Sequence, residues 1–195
     1  MNVLGIIVNG HWKPGIGDPT FIGWLTTGLY SIATVLCGIY AWQMKKNPTV
    51  GFHHCLFWSV LFIFLLFLSV NKQLDLQTLF MLTGRNIARA QGWYSYRDAV
   101  RMWFIVLFSI FCFLLIFSLI WIFRYALSEY GLALIGLALI IIYIVIRAGA
   151  NHIHIFGWDP GVSDLNWILE IGGICLIILS TITGILQNKK HQSKE

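Results

Sequence analysis

Charged side chains are scarce in this chain: Asp, Glu, Lys and Arg make up 11% of its 195 residues, whereas 58% of the residues are hydrophobic. A soluble domain carries about 25% charged residues, so the composition excludes an ordinary water-soluble fold. Proline is also rare, with four in the chain, and disordered segments are usually richer in it. Long apolar stretches fill the sequence instead, and they predict an integral membrane protein.

Missing motifs exclude several kinds of chemistry. The chain contains no GxSxG, HExxH, GxxxxGK[ST], GxGxxG or CxxC sequence, so it lacks the common esterase, zinc-protease, nucleotide-binding and thiol-redox motifs. The formal net charge is +5. Because the basic residues flank apolar runs and do not form a dense basic surface, we expect no nucleic-acid partner.

The apolar stretches predict an all-α integral membrane protein, a single bundle of five transmembrane helices. A spanning helix needs about 20 mostly apolar residues, because lipid offers no partner to unpaired backbone groups. Five stretches meet this requirement. We place the spans at about 21–42, 52–70, 102–123, 131–147 and 165–186, followed by a polar tail at 187–195.

The segment between the second and third spans has a different character. From Thr83 to Arg101 it is rich in arginine and aromatic residues, which predicts a short amphipathic helix in the membrane interface. Its arginines are expected to pair with lipid phosphates. Gly84 predicts a tight turn just before Arg85, which would bring that guanidinium close to the end of the second span.

Five spans place the two termini on opposite sides of the membrane. The turn with Lys45 and Lys46, the turn with Arg124 and the lysine-rich C-terminal tail are short positive flanks on one side. The positive-inside rule therefore predicts a cytoplasmic C-terminus and an outside N-terminus, in a bacterial cytoplasmic membrane. The arginines from Arg85 to Arg101 favour the reverse orientation, which stays open.

Polar residues from three separate segments are expected on the side of the N-terminus. Polar groups are costly in a membrane, and those present tend to mark a pocket or a pathway. The three segments are the end of the second span, the region after Gly84, and the loop that joins the fourth and fifth spans. The residues predicted to line a polar pocket there are Lys72, Asp75, Arg85, Arg147, His152, His154 and Glu170.

The residue types in this pocket indicate acid–base chemistry on an anion. Ammonium and guanidinium groups hold phosphates and carboxylates, and carboxylates and imidazoles transfer protons. The predicted substrate-binding residues are Lys72, Arg85 and Arg147. The predicted catalytic residues are Asp75, His152, His154 and Glu170.

Two further expectations concern metal binding and ion pairing. In an extended segment, His152 and His154 would point to the same side, as two ligands of a zinc, copper or iron site do. They are therefore the candidate metal ligands, and a divalent metal is the cofactor that the sequence suggests. The alternative is structural, with one buried histidine bonded to a carbonyl and one at the lipid interface.

The expected ion pairs are Lys72 with Asp75, within one helix end, and Arg147 with Glu170, between consecutive spans. These patterns favour a small membrane-embedded enzyme that acts on a lipid or lipid-linked anionic substrate. The alternative is a non-enzymatic accessory or lipid-binding subunit of an envelope complex, with partner membrane subunits. The sequence does not decide between them.

Overall fold

The structure, a computed structural model, describes residues 7–8, 11–12, 20–46, 51–74, 76–124, 127–153 and 163–192. Within these ranges a two-stranded hairpin precedes six α-helices, and a 3-10 turn at Tyr94–Tyr96 precedes the fourth helix. The elements are β1 (Ile7–Val8), β2 (His11–Trp12), α1 (Phe21–Lys46), α2 (Phe52–Leu74), α3 (Leu76–Ala90), α4 (Arg97–Ile122), α5 (Leu127–Ile153) and α6 (Ser163–Gln192).

Five of these helices, α1, α2, α4, α5 and α6, are long and apolar enough to cross a membrane. The predicted all-α bundle of five spans is confirmed. Each helix is longer than its predicted span; α6, for example, continues to Gln192 and includes most of the predicted polar tail. Polar residues at a helix end do not stop the helix, because its backbone hydrogen bonds continue into the headgroup layer.

The helix between the second and third spans has limits that differ from the prediction. It covers Leu76–Ala90, whereas the predicted segment ran from Thr83 to Arg101. Gly92 follows its end with a φ of 76°, a left-handed conformation that favours glycine after a helix. The predicted turn at Gly84 is wrong, because Gly84 lies inside α3. That α3 lies in the membrane interface stays a prediction.

The small hairpin at the start of the chain is an addition to the predicted architecture. Its strands are antiparallel, with Ile7 opposite Trp12 and Val8 opposite His11, and β2 contacts α3. The two strands are separated by Asn9-Gly10, a dipeptide that favours two-residue hairpin turns. This dipeptide is the feature of the sequence from which the hairpin could have been predicted.

Contacts between the spans show their directions. Ser31 on α1 lies 3.1 Å from Ser69 on α2, and one turn away Gln73 donates to Thr27 at 3.0 Å, so α1 and α2 are antiparallel. Because successive spans alternate, α1, α4 and α6 begin at the same end of the bundle at which α2 and α5 finish. We call this end the N-face and the opposite end the C-face.

The interior of the bundle is formed by α1, α2, α5 and α6. The first of these packs against both α2 and α6, and α5 packs most extensively against α6. The remaining span, α4, packs mainly against α5, and most of its large apolar side chains are exposed. Such exposure is compatible with lipid, which is as apolar as these side chains.

Aromatic side chains fill the core towards the C-face. Tyr40 and Trp58 are buried there in an edge-on contact, with ring centroids 4.8 Å apart. Tyr130 is also buried and lies beside the His54 ring at 5.0 Å. His54 Nδ1 is 3.3 Å from Glu129 Oε1, which connects the start of α2 to the start of α5.

Two glycines allow α5 and α6 to approach closely. A Cβ atom at Gly136 would lie 2.6 Å from the carbonyl oxygen of Gly173, and one at Gly173 would lie 2.7 Å from the carbonyl oxygen of Gly136. Neither contact is possible for a larger residue without moving the backbone. Small residues at such crossings increase van der Waals contact between membrane helices.

We therefore expect Gly173→Ala to separate α5 from α6 and to destabilise the protein by about 1–3 kcal/mol, the usual cost of overpacking. The measurement is the Tm of the purified protein in detergent, which should fall. Gly172→Ala is the matched control, because a Cβ atom there meets nothing within 4 Å. Equal Tm values for both variants would show that the close approach is not required.

Candidate functional site

A buried ion pair joins α2 to α6 near the N-face. Lys72 Nζ donates to both carboxylate oxygens of Glu170, each at 2.9 Å. The side chains of Lys72 and Glu170 are only 12% and 1% exposed. Lys72 lies in the last turn of α2, and Glu170 is in the second turn of α6. Because α2 ends and α6 begins at the N-face, Lys72 and Glu170 lie at the same depth in the bundle.

Three further side chains surround this pair. The Tyr143 ring lies below the ammonium, with its centroid 5.9 Å from Lys72 Nζ. Arg147, one turn further along α5, donates to the Tyr143 hydroxyl at 3.1 Å. Tyr30 on α1 is buried and its phenol interacts with the Glu170 carboxylate. These five residues, contributed by four helices, are called the N-face cluster below.

The local pattern explains why Tyr143 and Arg147 act together. They are four residues apart on α5, so their side chains lie on the same side of the helix. A guanidinium bonded to a phenol has one preferred position, whereas an unanchored arginine samples many rotamers. Arg147 is exposed, so the cluster extends from a buried ion pair to a fixed guanidinium near the surface.

Neighbouring polar residues hold α1 against α2 beside the cluster. Gln73 follows Lys72 and donates to Thr27, and Ser69 bonds Ser31. Such bonds satisfy polar groups that would otherwise be isolated among apolar side chains. The Asn166 side-chain oxygen, one turn before Glu170, is buried without a hydrogen-bond partner in the described part of the chain.

The observed partner of Glu170 differs from the expected one. Glu170 was expected to pair with Arg147, but the cation that binds its carboxylate is Lys72. Lys72 was expected to bind Asp75, which lies outside the described residues. A lysine in the last turn of α2 can reach another helix, and burial of Glu170 makes that partner necessary, because an unpaired charge in the interior is costly.

The structure brings together three of the predicted site residues: Lys72, Glu170 and Arg147. Arg85 is on α3 with its side chain exposed, and its role as a substrate-binding residue stays a prediction. His154 and Asp75 lie outside the described residues, and for His152 only the backbone, in the last turn of α5, is described. The catalytic roles of these three residues therefore also stay predictions.

The metal site likewise stays a prediction. Among the residues that the structure describes, no group of three or more His, Cys, Asp or Glu side chains is arranged to hold a metal ion. The two histidines proposed as ligands, His152 and His154, are not among those side chains. The extended backbone expected at His152 is wrong, because α5 continues to Ile153. A divalent metal stays a hypothesis about the end of α5 and the residues that follow it.

The two tyrosines of the cluster were not predicted as site residues. Tyr143 is four residues before Arg147 in an otherwise apolar stretch. This spacing places both side chains on one face of a helix, and it could have indicated that Tyr143 belongs to the site. Tyr30 is one of several hydroxyl-bearing residues of α1. Some of the others bond within their own helix: Thr26 donates to the Ile22 carbonyl at 3.0 Å, and Thr34 donates to the Tyr30 carbonyl at 2.8 Å.

Two open grooves lie on the apolar surface of the described part of the bundle. One is lined by residues of α4 and the other by residues of α6. Neither groove includes a residue of the N-face cluster. The lining residues are Phe117, Ser118, Trp121 and Ile122 in the first groove and Trp167, Ile168, Ile171 and Gly172 in the second. The polar pocket expected from the sequence therefore stays a prediction.

Comparisons with protein-family models, with curated proteins and with solved structures give no match for this chain. Its function is therefore inferred from its own residues and their geometry.

We expect removal of either partner of the buried ion pair to be strongly destabilising. Glu170→Gln leaves the Lys72 ammonium without its carboxylate, and Lys72→Met leaves the carboxylate without its ammonium; the cost of such a change is about 3–5 kcal/mol. The measurement is the free energy of unfolding in detergent. The double variant should lose less than the sum of the single variants.

The control for this prediction is the exposed pair of Arg97 and Asp98, whose nearest charged atoms are 3.7 Å apart. Asp98→Asn should change the free energy of unfolding by less than about 1 kcal/mol. Additive losses in the double variant of Lys72 and Glu170 would contradict a direct interaction between them.

Proposed function

We propose that this five-span membrane protein binds an anionic lipid or lipid-linked substrate at its N-face and acts on it as a membrane-embedded enzyme. The observation that supports the proposal is the N-face cluster, in which four helices fix a buried carboxylate, its ammonium partner and a guanidinium near the surface. Fixed cations at the membrane surface suit a phosphate or carboxylate group.

The cluster refines the roles that the sequence assigns to its cations. Arg147 is exposed and anchored by Tyr143, which suits it to hold the anionic group. Lys72 is bonded to Glu170, so an anion can reach it only by sharing the ammonium with that carboxylate. In this proposal Lys72 positions Glu170, and Arg147 together with Arg85 binds the substrate.

The proposed reaction is hydrolysis of a phosphoester in the headgroup region. A base removes a proton from water, the water oxygen bonds to phosphorus, and the bond from phosphorus to the lipid alcohol oxygen breaks as an acid protonates that oxygen. Asp75, His152, His154 and Glu170 are the proposed acids and bases. A divalent metal held by the two histidines would activate the water.

We also propose that the N-face is extracytoplasmic and that the protein belongs to a bacterial cytoplasmic membrane. The support is the charge of the C-face flanks. Lys45 and Lys46 end α1, and Arg124 lies in the short connection between α4 and α5. Basic residues in short loops favour the cytoplasmic side.

A specific observation favours the alternative function, an accessory subunit of a membrane complex. The span α4 packs mainly on α5, and its exposed side chains include Trp103, Phe111 and Trp121. A helix with this much exposed surface can pack against a partner membrane subunit as well as against lipid. In that case the N-face cluster would be a structural hydrogen-bond network.

The test is release of inorganic phosphate from a lipid phosphate monoester in mixed micelles, with zinc, manganese or magnesium added in turn. We expect the wild-type protein to release phosphate and His152→Ala to lower kcat by at least about 100-fold, as loss of an acid–base group does. Lys46→Gln is the control and should leave kcat unchanged. Lys46 lies at the opposite end of the bundle, the C-face, where it stacks on Trp42 at 5.1 Å from the ring centroid.

Full activity in His152→Ala would reject the assignment of acid–base catalysis. No phosphate release under any metal condition, together with co-purification of the protein in a stoichiometric membrane complex, would reject the enzyme and support the accessory subunit.

A further inference from the structure

Two arginines from different helices meet at one tyrosine on the N-face. Arg89, near the end of α3, places its guanidinium carbon 5.0 Å from the centroid of the Tyr94 ring. Arg97, the first residue of α4, places its guanidinium carbon 4.6 Å from the same centroid. Both guanidinium groups also interact with the Tyr94 phenol. One tyrosine side chain therefore holds both cations, although their charges repel.

The backbone between the two arginines fixes this arrangement. The left-handed Gly92 follows the end of α3, and the Gln91 amide donates to the Ile87 carbonyl at 2.9 Å. The Trp93 indole donates to the Gln91 side chain at 2.7 Å. The 3-10 turn that follows presents Tyr94 between the two helix ends. The convergence of the arginines thus follows from an ordered turn.

Among the residues that the structure describes, one carboxylate forms an ion pair with either of these two arginines. Asp98 lies 3.7 Å from Arg97, and both side chains are more than half exposed. One exposed carboxylate offsets only part of two guanidinium charges, because solvent weakens such a contact. A phosphate that contacts both Arg89 and Arg97 would offset their repulsion and accept charge-assisted hydrogen bonds from both.

An apolar surface continues from Arg97 along the same side of α4. Val100, Phe104 and Leu107 follow at intervals of three, four and three residues, and all three are exposed, Leu107 by 61%. Ten residues of helix rise about 15 Å, which is half of the hydrocarbon thickness of a bilayer. The length of this stripe therefore matches one leaflet, which is where the acyl chains of a lipid bound at Arg97 would lie.

We propose that Arg89 and Arg97, held around Tyr94, form a binding site for the phosphate of an anionic glycerophospholipid whose acyl chains lie along the Val100–Leu107 face of α4. The site is built by α3 and α4, whereas the N-face cluster is built by the other four helices. Its occupant is bound and not converted. In the described part of the chain, α4 packs mainly against α5. The bound lipid would cover another side of α4 and stabilise its position.

The test is native mass spectrometry of the full chain in detergent with added phosphatidylglycerol, or with phosphatidylcholine that has the same acyl chains. We expect the wild-type protein to retain phosphatidylglycerol in preference. The double variant Arg89→Gln/Arg97→Gln should bind it at least about tenfold more weakly, with circular dichroism confirming that the helices are intact. Leu107→Gln should also weaken binding, through the acyl chain.

The matched control is Arg124→Gln, which removes an arginine stacked on Trp121 at the C-face, 4.5 Å from the ring centroid. It should leave binding unchanged. Equal retention of both lipids, or unchanged binding in the double variant, would overturn the proposal. Inorganic phosphate that displaced phosphatidylglycerol at equal concentration would also overturn it, because it would indicate a site for a soluble anion.

Discussion

The buried contact between Lys72 and Glu170 constrains the arrangement of the helices around it. The Glu170 carboxylate is buried and the Lys72 side chain is largely buried, so each charge depends on the other. The pair joins α2 to α6, and both of these helices pack on α1. Its formation therefore requires three spans to be assembled in the correct register. The ion pair specifies which faces meet, which undirected apolar packing does less well.

Close packing between helices also determines which helix faces meet. Gly136 and Gly173 allow the backbones of α5 and α6 to touch, and Gly184 of α6 accommodates the Tyr40 ring of α1, where a Cβ atom would be 2.6 Å away. Cys37 on α1 lies 3.5 Å from the Thr181 hydroxyl of α6. Small and polar residues thus align α6 with α1 and α5 along its length. This alignment places Glu170 next to Lys72.

Parts of this structure could be predicted from the sequence because they depend on local rules. The thickness of the bilayer sets the length of an apolar helix, so five spans were found with nearly correct positions. The pairing of Lys72 with Glu170 was not found, because it joins residues 98 positions apart and depends on which helix faces meet. The end of α3 just before Gly92 could not be predicted, because the presence of a glycine does not by itself show that its backbone is left-handed.

The cations of the N-face fall into two groups that differ in their surroundings. Lys72 is buried and compensated by a carboxylate of the protein, so its charge contributes little to the field outside the bundle. Arg89 and Arg97 are exposed, and the described residues near them include one carboxylate, Asp98. Because solvent-exposed charges act within about 10 Å at moderate ionic strength, headgroups next to α3 and α4 experience mainly the second group. The polar interior orders the helices, and in the lipid site that we propose the exposed arginines select the lipids that surround them.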